Sequence, residues 1–360
     1  MPEKGHLIVV KKILYVMLIF APVAFVLDKL HASPVLVFVF AALGIIPLAD
    51  LIGEATEELA VYTGPRLGGL LNATLGNAAE LIITIFAIRE GLLDLVKASI
   101  TGSIIGNLLL VLGFSVLLGG IKNGIQTFDR RTAALNGTML LLAVFALVIP
   151  SLFDIGVRQA GVAAEVHFSE GVAVVMIIIY GLHVLYSFTA HQGPLARDAV
   201  VHDARWSLTR SLITLLVATV GVAVVSEVLL GAVEVVSETI GLTEIFIGLI
   251  VIPLVGNVAE HLVAVEVALK DNMELSLAVS LGSSLQIALF VAPVLVFVSL
   301  LFDHPLLLIF SEFELVALFS AALVAALIAA DGESNWLEGA MLLAVYLIVA
   351  LAFFFLPPML

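Results

Sequence analysis

The sequence predicts an all-α polytopic membrane protein of about eleven transmembrane helices, built as one N-terminal helix plus two inverted five-helix repeats. Three observations predict it. The chain is 62% hydrophobic and only 12% charged, about half the charged fraction usual in a soluble domain. Long apolar runs, such as 105–118 and 340–356, approach the ~20 residues that cross a bilayer core. A pentad GNAAE at 76–80 returns as GNVAE at 256–260, inside equally apolar surroundings. Barrel strands would alternate apolar and polar residues, and these runs do not, so an outer-membrane barrel is excluded.

Apolar length, Gly/Pro punctuation and clustered charge place spans near 12–28, 34–62, 66–89, 93–119, 130–150, 169–190, 208–239, 243–268, 273–301, 305–330 and 337–357. The N-terminus has charges but no small-residue cleavage site after its first apolar run, so it reads as a retained helix. The domain organisation follows: 1–33 an N-terminal transmembrane helix, 34–190 the first repeat, 191–207 a cytoplasmic linker, 208–360 the second repeat. With the N-terminus cytoplasmic, eleven Lys and Arg residues fall in inner segments and four in outer ones. The positive-inside rule then favours a cytoplasmic N-terminus and an external C-terminus.

The duplication is read from register. A shift of 180 residues, without a gap, matches Glu54 with Glu234, Glu58 with Glu238 and Gly68 with Gly248. It goes on to match Gly76 with Gly256, Asn77 with Asn257, Glu80 with Glu260, Gly102 with Gly282 and Ser103 with Ser283. Five spans per repeat is an odd number, so the halves enter the membrane in opposite senses. Inverted repeats with a site at their shared interface are a transporter architecture.

Composition narrows the function. Net charge is −14, from 29 acidic and 15 basic residues, which disfavours nucleic-acid binding and suits attraction of cations. There is no cysteine, which removes disulfides, iron–sulfur clusters and thiol nucleophiles. No Ser/His pair, HExxH spacing or nucleotide-binding glycine loop is present, so the chain reads as no enzyme and as needing no cofactor.

The pentads fall near the middle of the third and eighth spans. Gly76 and Asn77 allow a local break in the helix, and Pro253 before Gly256 frees a carbonyl in the second half. Asn77 and Glu80 share a helical face, as do Asn257 and Glu260. Each half therefore offers a carboxylate, an amide oxygen and a backbone carbonyl. Such an all-oxygen set suits a hard cation such as Ca²⁺, with Glu80 and Glu260 as its carboxylate ligands. A midplane carboxylate is costly. A divalent cation lets both stay ionised, and without it desolvation and mutual repulsion favour protonation. Protons and metal then compete for the same two glutamates. The alternative, two buried structural acids, is weakened by their equivalent placement.

Supporting residues follow from the same pattern. ASITGSIIGN at 98–107 and AVSLGSSLQI at 278–287 bring a Gly-Ser pair 26 residues after each Gly-Asn pair. Gly102 and Gly282 also fit pure helix packing. Ser103, Ser283, Asn107 and Gln286 are candidates to face an ion path. His261 follows Glu260 and has no equivalent, since Leu81 stands in the first half; it reads as a proton relay, a charge tuner or a core residue. Glu54 with Glu58, and Glu234 with Glu238, form four-spaced pairs that suit cation-attracting vestibules or ordinary solvated helix ends.

GNAAE and GNVAEH, each followed by a Gly-Ser segment, resemble the signature repeats of the cation/proton exchangers, the CAX branch of the Ca²⁺/cation antiporter superfamily. The related sodium/calcium exchangers usually carry Thr-Ser and Pro before the acid, and neither pentad does. The resemblance implies that Glu80 and Glu260 are the central ion- and proton-binding acids. It further implies that Asn77, Asn257, His261 and carbonyls near Gly76 and Gly256 complete the site, and that Ser103, Ser283 and Gln286 support it. A markedly acidic helix between the halves, found in many relatives, is missing from 191–207. The expected function is Ca²⁺/H⁺ antiport by alternating access, with Ca²⁺, H⁺ and the lipid bilayer as partners. A Na⁺ or K⁺ exchanger is the alternative, a cation channel a more distant one. The short chain without a targeting segment points to a prokaryotic cell membrane, and oligomeric state stays open.

Overall fold

The computed structural model describes residues 11–189 and 204–356. The fold is all-α, and the chain is a polytopic membrane protein. In chain order, α1 is Phe20–Lys29 and α2 is Pro34–Leu75, interrupted at Gly64. Next come α3 (Ala78–Arg89), α4 (Leu93–Ile105), a π-helical turn Gly106–Val111 and α5 (Leu112–Asn123). α6 is Arg130–Arg158, α7 Val162–Thr189 and α8 Leu208–Ile240. The short α9 (Glu244–Phe246) passes through a second π-turn, Ile247–Val251, into α10 (Ile252–Leu269). α11 (Met273–Gln286), a third π-turn Ile287–Val291 and α12 (Ala292–Ser299) follow, then α13 (Glu312–Asp331) and α14 (Trp336–Phe354).

Among the described residues, eight helices are long and apolar enough to cross a membrane, or nine if the pair Glu244–Val258 and Glu260–Leu269, bent by 67°, is one span. The predicted span 66–89 is divided by a turn at Gly76–Asn77. Gly64, at φ 79°, separates the predicted spans 34–62 and 66–89, a conformation that glycine adopts without steric cost. Three predicted boundaries shift. α6 continues through Pro150 to Arg158 rather than stopping at 150, because membrane helices tolerate proline where neighbours satisfy the freed carbonyl. α7 begins at Val162 instead of 169. α13 begins at Glu312 instead of 305, because Ser311 and Glu314 close a reciprocal capping box. Most of the predicted linker 191–207, namely 191–203, lies outside the described residues.

The chain divides into two compact units. The first comprises Met1–Ala87, Val201–Glu244 and Leu254–Ala259. In it α2 packs along α8, and α1 lies against both. The second comprises Ile88–Val200, Ile245–Pro253 and Glu260–Leu360. There α13 packs on α6, α14 on α5, α12 on α7, and α4 crosses the π-turn Ile247–Val251. A two-residue antiparallel bridge pairs Gln126 with Ser334 and Thr127 with Glu333.

Burial marks the core of the second unit. The most apolar windows of Leu93–Asn123 and Met273–Ser299 are 72% and 67% buried, against 22–28% for α6, α7 and α14. The two buried segments are equivalents under the 180-residue shift. Each also contains a π-turn at the matching place, Gly106–Val111 and Ile287–Val291. The 180-residue correspondence thus includes a backbone irregularity that residue matching alone does not reveal.

Candidate functional site

In the first pentad the helix stops and restarts. Gly76 and Asn77 form a turn, yet its backbone stays paired: the Gly76 N–H donates to the Asn72 carbonyl at 2.9 Å, and the Leu81 N–H to the Asn77 carbonyl at 3.0 Å. The restart at Ala78 puts Glu80 in the first turn of α3, where the helix dipole favours negative charge. Asn77 and Glu80 are buried. Thr84 Oγ1 donates to the Glu80 carbonyl at 2.6 Å, holding the turn that carries the acid.

Within the same unit the second pentad reaches this acid. Asn257 Nδ2 donates to Glu80 Oε1, so residues 177 apart in sequence meet as buried donor and acceptor. A Cβ on Gly256 would lie 3.0 Å from Glu80 Cγ. Glycine at that position makes the approach possible.

The second acid has different company. Glu260 lies in α10, which keeps its helical bonding through Gly256 and Asn257 and bends by 67° between Val258 and Glu260. In the second unit Ser283 Oγ donates to Glu260 Oε2 at 2.8 Å, so the Gly-Ser segment of α11 reaches the acid. His261, half-buried, follows on the same helix, and Gln286, also half-buried, closes α11. Ser103 is buried in α4, and Asn107 is buried in the first π-turn. A π-turn offsets the side chains that follow it, and such turns recur at functional sites.

The Gly-Ser partners are not equivalent in packing. A Cβ on Gly102 would collide with the Leu249 carbonyl oxygen, and one on Gly248 would come within 2.7 Å of the Leu95 carbonyl oxygen. α4 and the π-turn Ile247–Val251 thus touch backbone to backbone, as small residues permit. Gly282 has nothing within 4 Å of the same position.

The four outlying acids differ too. Glu54 pairs with Lys11 at 2.7 Å. Glu58 is buried and accepts from the Arg205 and Trp206 amides at 2.8 and 3.1 Å, closing the chain onto α2 just before α8. Tyr62 adds a bond to the Trp206 carbonyl at 2.5 Å. Glu234 and Glu238 are exposed on α8. Among the described residues no group of three or more His, Asp or Glu side chains gathers as a metal cage. Glu80 and Glu260 bring amide and hydroxyl partners instead.

Two buried acids escaped sequence reading in their actual roles. Glu58 was visible only as half of a charged pair. Glu314 carried a readable signal, the Ser-x-x-Glu of SEFE at 311–314, but its tertiary partner did not: Thr101 Oγ1 lies 3.0 Å from Glu314 Oε1.

Comparison with known proteins identifies the family. The family described as sodium/calcium exchanger protein matches residues 33–189 and 210–355. A Ca(2+)/H(+) antiporter of Synechocystis sp. is 47% identical over 366 residues, covering 96% of this chain and 98% of the relative. The Ca(2+)/H(+) antiporter ChaA of Bacillus subtilis is 42% identical, with 93% and 96% covered. Among solved structures, native YfkE aligns with a TM-score of 0.83 at 40% identity, over 95% of this chain and all of the other. The H+/Ca2+ exchanger CAX aligns at 0.70 and 15% identity, over 96% and 92%, a likeness of fold alone.

Proposed function

Since the chain belongs to the sodium/calcium exchanger protein family, we propose that it is a secondary active antiporter exchanging Ca²⁺ for H⁺ across the membrane by alternating access. It is a transporter and not an enzyme. Glu80 and Glu260 are the groups for which protons and Ca²⁺ compete. Asn77, Asn257, His261 and the carbonyls near Gly76 and Gly256 assist them, and Ser103, Asn107, Ser283 and Gln286 support the ion path. The exposed pair Glu234 and Glu238 gathers cations at its mouth, whereas Glu54 is held by Lys11.

The observation that carries this reading is the bond from Asn257 to Glu80, which joins the two pentads at one buried carboxylate. Its chemistry suits exchange. An ionised carboxylate accepts from an amide N–H or a hydroxyl; a protonated one donates to the amide oxygen or the same hydroxyl. Asn257 and Ser283 can therefore satisfy either protonation state, and both can offer an oxygen to a hard cation. When Ca²⁺ arrives it takes the carboxylates, and the displaced protons leave to the same side. Re-entry of protons from the other side releases Ca²⁺ there.

The full topology we propose is eleven spans, with 11–29, helical on both sides of a turn at 18–19, as the unpaired first span and the N-terminus cytoplasmic. Positive-inside charge supports that orientation. Proton-gradient-driven ⁴⁵Ca²⁺ uptake into proteoliposomes tests the function. Uptake that needs the gradient is expected, and flux measured with one cation at a time separates Ca²⁺ from Na⁺ and K⁺. Large Ca²⁺ currents indifferent to the proton gradient would point to a channel instead.

A further inference from the structure

Glu314 is a buried acid that the exchange reading leaves unused. It is 3% exposed, in the first turn of the otherwise apolar α13. A carboxylate withdrawn from water needs full partnering, and this one has it. Oε2 accepts from the Ser311 N–H at 3.0 Å and from the Ser311 hydroxyl at 2.8 Å. The start of the helix adds its dipole. Capping accounts for only one oxygen. The other, Oε1, meets Thr101 on α4, a residue with no exposed surface.

The position of Thr101 gives this contact its meaning. It immediately precedes Gly102, where α4 backs onto the Leu249 carbonyl, and Ser103. The π-turn holding Leu249 continues directly into α10, which carries the second pentad. α4 also packs on α11, the helix that brings Ser283 to Glu260. We propose that Glu314 is a positioning residue for cation exchange: through Thr101 it fixes α4 against the π-turn Ile247–Val251, and thereby seats the Glu260–Ser283 pair. The proposal rests on the exchange reading of Glu260.

The tether holds in either protonation state, because the Thr101 hydroxyl donates to an ionised carboxylate and accepts from a protonated one. Its alternative acceptors are the Lys97 and Ala98 carbonyls, both at 3.1 Å. The other charged groups lining the cavity of about 410 Å³ beside Glu314 are Asp94, Lys97 and Glu312, with Lys97 paired to Asp94 at 2.6 Å. Through this bond Glu314 acts as a fixed post for α4.

The test uses the full-length reconstituted protein with Thr101→Val, Thr101→Ser, Glu314→Gln and the Val/Gln double variant. The apparent KM for Ca²⁺ is expected to rise roughly three- to tenfold in Thr101→Val and in Glu314→Gln, the scale of one lost hydrogen bond. Maximal rate per folded transporter changes less. The double variant should be no worse than the weaker single one, since both cut one link. Thr101→Ser restores the wild-type KM, and the ratio of variant to wild-type KM is the same on either side of neutral pH. Amide hydrogen exchange of the purified variants supplies a readout independent of transport: faster exchange over 245–258, with 210–235 unchanged. Unchanged exchange over 245–258 would overturn the positioning role, whatever the transport result. A KM ratio that varies with pH in Glu314→Gln but not in Thr101→Val would overturn it in favour of Glu314 itself titrating. Loss of wild-type Ca²⁺ uptake with the exchange pattern intact would instead count against the exchange reading.

Discussion

The two pentads share one pattern and differ in local structure. In 76–80 the helix breaks at Gly76–Asn77, and Glu80 opens a new helix. In 256–260 helical hydrogen bonding continues, but the axis bends by 67° between Val258 and Glu260, downstream of the π-turn Ile247–Val251. Glu80 therefore has a helix start and the Asn257 amide, while Glu260 stands just past the bend with the Ser283 hydroxyl. The same five-residue pattern thus presents a buried acid in two backbone settings, a turn before Glu80 and a bend before Glu260.

Breaking either acid should have the largest effect. Glu80→Gln and Glu260→Gln are each expected to lower Ca²⁺ transport at least about a hundredfold, since loss of a buried charged partner costs ~3–5 kcal/mol. ⁴⁵Ca²⁺ uptake at saturating and limiting Ca²⁺ measures this. A variant retaining most of its uptake would remove that acid from the site.

The next contrast lies in packing. Gly102→Ala must displace the Leu249 backbone and is expected to destabilise the protein by about 1–3 kcal/mol. Gly282→Ala, with open space around it, should be near neutral. Thermal unfolding of the detergent-purified proteins compares them, and equal midpoints would mean the close crossing at Gly102 is not a structural constraint.

The acids' partners should rank below that. Asn257→Ala removes the donor to Glu80 and should raise the KM for Ca²⁺ about tenfold, the scale of a hydrogen bond to a charged group at ~1.5 kcal/mol or more. Ser283→Ala, which takes a single hydroxyl from Glu260, should raise it by roughly threefold. Equal effects would argue that the two acids are surrounded alike. Smallest of all, Gly256→Ala asks Glu80 Cγ to give way by a few tenths of an ångström, and should change KM by no more than about twofold.

Much of this was readable in the chain. Apolar length and Gly/Pro punctuation located the helices, and α8 at Leu208–Ile240 and α11–α12 at Met273–Ser299 lie within two residues of expectation. The turn at Gly76–Asn77 followed from helix-breaking residue types at a place where helix was otherwise favoured. Helix ends set by tertiary or capping contacts were not located. The 305–311 stretch is apolar enough to read as helix, but Ser311 and Glu314 fix the start seven residues later. The π-turns carry no composition of their own, because they arise from how neighbouring helices pack. The Glu314–Thr101 and Glu58–Trp206 contacts join residues 213 and 148 apart, and no local pattern marks either pair.

In the proposed mechanism Ca²⁺ and protons compete for Glu80 and Glu260. Proton release on adding Ca²⁺ to the purified protein in weak buffer tests it most directly, because metal binding to a protonated carboxylate must liberate its proton. The wild type should release about two protons per Ca²⁺ bound at a pH where both acids are protonated, and Glu80→Gln or Glu260→Gln about one. Release that is unchanged in both variants would contradict the claim.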